Sequence, residues 1–262
     1  MGQKINPKIY RLGLFSNEWD SYYIEKNYEE SSLLIFYDLK IREYFSRILN
    51  LNGLLLHNCK LRYTEESISI SVYYFRLDDK SVFLENNDLI KINNSIYYFL
   101  RKGRTDNVNA LKISLRFREI NKYKNQLVNS NVDSLNKTFR RYVKDKLFEE
   151  VVRLSVITML INNSSRLLVE FLVLRLKTIK NQNKIIFYLK LVISNLIRKD
   201  IFKVNGFKLI INGRFNKSAR SRKKDIILGS IALHTLKTNL DYFQSPVFTS
   251  VGTFGIKLWI SR

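Results

Sequence analysis

Cysteine occurs once in the 262 residues, at Cys59, so the chain has no intramolecular disulfide and no cysteine-based zinc site. Histidine adds only His57 and His234, too few to build a metal cluster. Proline stands only at 7 and 246, and alanine only at 110, 219 and 232. The nine glycines are scattered and form neither a Walker-type nor a dinucleotide phosphate loop. No apolar run approaches the roughly 18 residues of a membrane-spanning helix. The nearest candidate, Leu167 to Leu174, carries Glu170 in its middle. The start, MGQKINPKIYRLG, lacks the apolar region of a signal peptide and the Arg/Ser-rich look of a transit peptide. Asn6 sits where a myristoylation signal needs Ser or Thr. Acidic side chains are the remaining shortage: 23 Asp+Glu face 45 Lys+Arg, a net charge of +22.

What is present argues for a folded chain with a polyanionic partner. Hydrophobic residues make up 45% and charged residues 26%, enough apolar surface to offset the entropy of ordering. An excess of +22 is self-repelling unless a partner neutralises it, and nucleic acid is the natural one. The excess is uneven. Residues 1–100 hold 12 basic and 13 acidic side chains, whereas 101–262 hold 33 and 10. Any polyanion is therefore expected mainly against the second part of the chain. Ile, Asn, Lys, Phe and Tyr are abundant, and their codons are A/T-rich, a genomic signature of an organelle or a reduced bacterium.

Periodicity gives an α+β chain. A helix is expected over 38–50, with Ile41, Phe45, Ile48 and Leu49 on one face and Asn52-Gly53 as its stop. Strands follow near 54–62 and at 67–75, where Ile68, Ile70 and Val72 alternate with serines. A helix is read at 88–101 and a strand at 111–118. There Leu111, Ile113, Leu115 and Phe117 face inward, while Lys112, Ser114, Arg116 and Arg118 form either a phosphate-facing stripe or a solvated sheet face. Residues 121–164 read as an insert, a mobile Asn/Lys-rich loop over 121–136 and a helix over 137–161. Helices at 165–178 and 184–199 precede strands at 206–212, 228–237, 239–243 and 252–260.

No catalytic constellation stands out. The pairs Glu29-Glu30, Glu65-Glu66, Asp78-Asp79 and Glu149-Glu150 are sequence neighbours that point apart. His57 and Cys59 would share one strand face, where a core or edge role outweighs a dyad. His234, in Leu-His-Thr-Leu, suits a place beside phosphate better than general-base work. An organellar nuclease or intron maturase would also be basic, but would bring an acidic metal-binding motif that is not seen. The expectation is no enzyme, no metal and no cofactor, with Mg2+ present only through RNA.

Two segments carry a family resemblance. Met1-Gly2-Gln3-Lys4-Ile5-Asn6-Pro7, Arg11-Leu12-Gly13 and Trp19 resemble the opening of the universal small-subunit ribosomal protein three, and Leu39 to Tyr44 the first helix of its KH domain. Gly206-Phe207-Lys208, Gly213-Arg214-Phe215, Leu233-His234-Thr235-Leu236, Asp241-Tyr242 and Gly252 to Ile260 resemble that family's final domain in order and spacing. The resemblance implies a degenerate type II KH domain over 38–120, after a tail and lead-in at 1–37. An α+β C-terminal ribosomal domain would span 165–262, with the helical insert 121–164 between the two. It implies a structural protein of the small-subunit head that binds rRNA and helps form the mRNA entrance. Its neighbours would be the small-subunit proteins ten and fourteen.

The departures narrow this. Between the strands ending near 75 and starting near 111 the only glycine is Gly103, so the Gly-x-x-Gly clamp is missing. At the family's helicase-associated positions, Leu189, Lys190 and Ile193, only Lys190 is charged. The insert is of the kind that mitochondrial members carry. Because the motif starts at Met1, the expectation is an organelle-made mitochondrial member, with a plastid or A/T-rich bacterial form as the alternative. The RNA-binding set expected is Lys4, Lys8, Arg11, Lys190, Arg214, Lys217, Arg220, Arg222, Lys223, Lys224, His234, Lys237 and Lys257. The stretch 213–224, six cations in twelve residues, is expected to be mobile until bound.

Overall fold

The computed structural model describes residues 5–14, 19–25, 28–64, 67–77, 86–102, 112–120, 125–161, 164–179, 181–199, 202 and 204–262. The chain forms two compact units, one of Glu18–Tyr123 and one of Met1–Asn17 with Lys124–Arg262.

The first unit packs two helices on one face of a four-stranded sheet. Helix α2 (Glu30–Leu51) buries Leu34, Tyr37, Ile41, Phe45 and Leu49, a stripe at three- and four-residue spacing. Strands β2 (Leu54–Tyr63) and β3 (Ser67–Arg76) pair antiparallel. After helix α3 (Asn86–Lys102), β4 (Lys112–Glu119) returns parallel to β3, and the two-residue β1 (Ser21–Tyr22) closes the order β1-β2-β3-β4. Alternation decides the faces. Ile68, Ile70 and Val72 join Cys59, Leu61, Ile113, Leu115 and Phe117 against the helices. Cys59 is a buried, inert core thiol. Burying each such aliphatic or aromatic side chain contributes about 1.5–3 kcal/mol.

The second unit is a helical layer on an antiparallel sheet of order β6-β5-β8-β7. Its strands are β5 (Gly206–Gly213), β6 (Arg222–Gly229), β7 (Leu240–Thr249) and β8 (Gly252–Ser261). Phe207, Leu209, Ile211, Phe254, Ile256, Leu258 and Ile260 are buried. Helix α6 (Ser165–Thr178) packs on β7 and β8, and α7 (Gln182–Arg198) on β6. Asp241 on β7 is buried, and its Oδ2 accepts from the Ser165 N–H at 2.8 Å, capping the positive end of α6. Arg262 donates to the Thr158 and Ile161 carbonyls at 3.0 and 2.5 Å. Burial pulls its guanidinium below the ordinary value, and the Asp241 carboxylate opposes that shift.

Several sequence expectations give way here. Of the mobile loop expected over 121–136, residues 121–124 lie outside the described residues and 125–136 fall in helix α4 (Asn125–Thr138), which buries Val128 and Leu135. The single helix expected over 137–161 is a turn over 139–144 followed by α5 (Lys146–Leu160). Val143 is exposed, and the buried ring is Phe148. The expected strand 228–237 ends at Gly229, whose φ of +71° leaves the sheet and which sits where a Cβ would lie 2.2 Å from the Asn205 carbonyl. The true strand is β6, which includes Arg222, Lys223 and Lys224. The helical turn α1 (Pro7–Tyr10) packs on β7, and α5 packs on α6 and α7.

Among the described residues no helix is long and apolar enough to cross a membrane, and no cluster of His, Cys, Asp or Glu is arranged to hold a metal.

Candidate nucleic-acid interface

The second unit holds 29 basic and 8 acidic residues, net +21, and the candidate cations gather at two ends of its sheet. One end is the β5–β6 turn. Gly213 closes β5 where a Cβ would meet the Phe254 ring at 2.2 Å, so only glycine admits that ring. Phe215 follows, buried edge-on to Phe254 with centroids 5.3 Å apart. A 3-10 turn, Phe215–Lys217, places Asn216 and Lys217 at φ of 50° and 61°. Asn216 and Gln182 exchange two hydrogen bonds, Gln182 N–H to Oδ1 at 3.2 Å and Asn216 N–H to Oε1 at 3.1 Å, pinning the turn to the start of α7.

These contacts overturn the expectation of a mobile 213–224. Arg214 donates to the Ser218 and Val251 carbonyls at 2.8 and 3.3 Å, tying the turn to the β7–β8 turn. Lys224 lies 4.6 Å from the Phe215 ring centroid and donates to Asn183 Oδ1. Lys223 pairs with Asp225 at 3.2 Å. Arg222, Lys223 and Lys224 pair in register with Gly213, Asn212 and Ile211 of β5. Lys217, Arg220 and Arg222 are exposed, as are Arg214 and Lys223 alongside their contacts. A pre-ordered turn presents these charges without an ordering cost on binding.

The other end is the loop over 230–239, where β6 leaves and β7 begins. His234 and Lys237 are exposed there. Arg11 is not a surface contact: it is 5% exposed, and its guanidinium donates to the Leu233 and Thr235 carbonyls at 2.9 and 2.8 Å and to Pro7 at 3.0 Å. It leaves the candidate set and becomes the clamp that holds the carbonyls flanking His234. Lys8 is half-buried on α1, its N–H capped by Asn6 Oδ1 at 2.9 Å. Lys4 lies outside the described residues. Along an eight-residue strand the two ends stand roughly 24 Å apart. Lys257 is exposed midway, opposite Ile210 in the ladder, and Lys190 is exposed on α7 beside buried Leu189 and Ile193. The set is therefore two clusters and two outliers rather than one continuous patch.

One cation was missed from sequence. Lys208 lies 5.4 Å from the Trp259 ring centroid, and Tyr242 lies 5.1 Å from the same ring. The period-2 reading of 206–212 and 252–260 puts Lys208 and Trp259 on the open face, but the pairing register that joins them is not visible in one strand alone.

The structure is a mixed α+β chain whose second unit is strongly cationic and carries an ordered basic turn. Residues 185–260 match the family model described as ribosomal protein S3, C-terminal domain, a span that runs from α7 through β8. A small ribosomal subunit protein uS3c from Euglena longa is 28% identical over 268 residues, covering 100% of both chains. A uS3m from Acanthamoeba castellanii is 24% identical, covering 99% of this chain and 95% of its own. A uS3 from Synechocystis sp. is 23% identical, covering 100% and 86%. The chain is thus similar over its whole length to small-subunit proteins of the ribosomal protein S3 family. These relatives are named as small ribosomal subunit proteins.

Proposed function

We propose that this chain is a structural constituent of a small ribosomal subunit that binds rRNA through its second unit. The observation that carries this is the conjunction of end-to-end similarity to small-subunit proteins with a net charge of +21 on that unit. Lys217, Arg220 and Arg222 at one end of the sheet, and His234 and Lys237 at the other, reach separate phosphates. Arg supplies forked donors and Lys a point charge. Arg11 positions the second cluster without touching RNA.

The finer assignments follow the family. The Glu18–Tyr123 unit is read as a type II KH-like domain: its described order of helix, two strands, helix and strand supports this. Without the Gly-x-x-Gly clamp it holds no single strand in the usual KH manner. The location is the head of the subunit, beside the mRNA entrance and the small-subunit proteins ten and fourteen. A mitochondrial ribosome is the first reading, supported by the A/T-biased composition and the uS3m relative. A plastid ribosome is the second, favoured by the full-length uS3c match.

The test is sedimentation. The tagged chain should travel with small-subunit rRNA in magnesium and leave it at high salt. A chain that stays at the top of the gradient, in purified mitochondria and plastids alike, contradicts the reading.

A further inference from the structure

The first unit is almost neutral, with 16 basic and 15 acidic residues, yet one face of its sheet is not. Register places the residues. One rung runs Tyr22, Arg62, Ser69, Ser114; the next runs Lys60, Ser71, Arg116; the next Asn58, Tyr73, Arg118; and Ser67 pairs with Lys112. Paired residues of neighbouring strands share a face, and this is the face away from α2 and α3. Arg62, Lys112, Ser114, Arg116 and Arg118 are exposed. No Asp or Glu holds a position of β2, β3 or β4 on this face. Asp20, which accepts from Asn58 Nδ2 at 2.8 Å, stands at one corner.

The layout is two cationic rails with a low floor. Lys60 and Arg62 on β2 and Lys112, Arg116 and Arg118 on β4 flank Ser69 and Ser71 on β3. The rails are two strand spacings, about 10 Å, apart, and successive same-face residues follow about 7 Å apart along each rail. Arg118 lies over the Tyr73 ring at 5.8 Å, so one guanidinium is already oriented at the end of the lane. The floor hydroxyls are small donors that let a backbone approach.

We infer that this open sheet face is a second RNA-binding surface, which receives a phosphodiester backbone along the serine lane between the cationic rails. This deepens the ribosomal reading and rests on it. Charge complementarity selects a polyanion. Chemistry then selects RNA over an acidic protein: the apolar pair on this face, Leu55 and Phe75, is buried beyond the Tyr73 end, and the lane itself offers no exposed aliphatic cluster to serve as the apolar centre of a protein interface. Four Arg and Lys contacts would release counterions and give binding here a steep salt dependence.

The test uses the full chain and a transcript of the head domain of small-subunit rRNA. The variant Arg62→Ser, Lys112→Ser, Arg116→Ser, Arg118→Ser changes only exposed side chains. Its log affinity against log salt should flatten by about 3 at roughly 0.7–0.9 per phosphate, with unchanged circular dichroism. A charge-keeping variant, Arg62→Lys, Arg116→Lys, Arg118→Lys, should keep the slope. An unchanged slope in the serine variant, with the wild type still bound, overturns this inference and leaves the ribosomal reading standing. The same slope with loss of the variant from subunits assigns the face to an acidic protein and also overturns it. A wild type that does not bind the transcript removes both.

Discussion

The two units carry charge in opposite ways. Glu18–Tyr123 has nearly equal numbers of both signs and sorts them. On α2, Asp38 pairs with Arg42 at 3.0 Å and Glu43 with Lys40 and Arg47 at 3.2 and 2.5 Å. The open sheet face is left cationic. The second unit has a large excess and concentrates its exposed charge at the two ends of its sheet, with Lys217, Arg220 and Arg222 at one and Lys237 at the other. Net charge thus says how much polyanion a region attracts, and strand register says where. A near-neutral region is not thereby a neutral surface.

The largest expected effects test whether the units are separate bodies. Each has its own core, so Phe45→Ala should destabilise the first by about 3–5 kcal/mol, and Phe207→Ala the second by as much. The only two tryptophans divide between them, Trp19 in the first and Trp259 in the second. In a denaturant titration the Trp259 emission should shift its midpoint in Phe207→Ala and keep it in Phe45→Ala. Equal shifts in both would break the comparison.

Next in size is the turn. Lys217→Ser with Arg220→Ser and Arg222→Ser removes the charges that the fold does not use. The salt slope of rRNA binding should flatten by about 2–3, since each lost phosphate contact is worth roughly 0.7–0.9. The melting curve should not move. An unchanged slope would mean that the excess charge of the second unit acts elsewhere.

Arg11→Ala sharpens the distinction between a charge that binds and a charge that holds. Leaving buried carbonyls unpaired costs about 1–3 kcal/mol. Amide exchange should accelerate over 230–239 and nowhere in 213–224. Affinity for rRNA should fall less than in the turn variant. The reverse order would return Arg11 to the interface.

The smallest effect is a titration. Burial raises the Glu170 carboxyl above its ordinary value, against the pull of Arg166 and Lys177. A carboxyl raised in the folded state stabilises most below its unfolded value and loses that contribution as pH rises through its folded value. Glu170→Gln should therefore narrow the loss of stability between acid and neutral pH, read as melting temperature against pH. A steeper loss in the variant would assign Glu170 a favourable ion pair instead.

How much was legible depends on how each element announces itself. Ile68, Ile70 and Val72 alternate with serines, and Ile113, Leu115 and Phe117 alternate with cations, so two strands and their faces were readable from period alone. Helix α4 was not, because its apolar stripe is sparse and set among asparagines that favour turns. Strand β6 was hidden behind Arg222-Lys223-Lys224, where charge density mimics a loop and pairing with β5 decides otherwise. Of the candidate site, the exposed Lys and Arg were legible as charges. The role of Arg11 was not, because its carbonyl partners lie more than two hundred residues away. The lane on the first sheet needed the joint register of β2, β3 and β4, and no single strand contains it.

The most direct measurement is a map of RNA–protein crosslinks on the assembled subunit. The account predicts a main group at 217–222 and 234–237, and a second at 60–62 and 112–118. Crosslinked peptides drawn mainly from the helices α2 and α3, with none from either sheet or its turns, would contradict it.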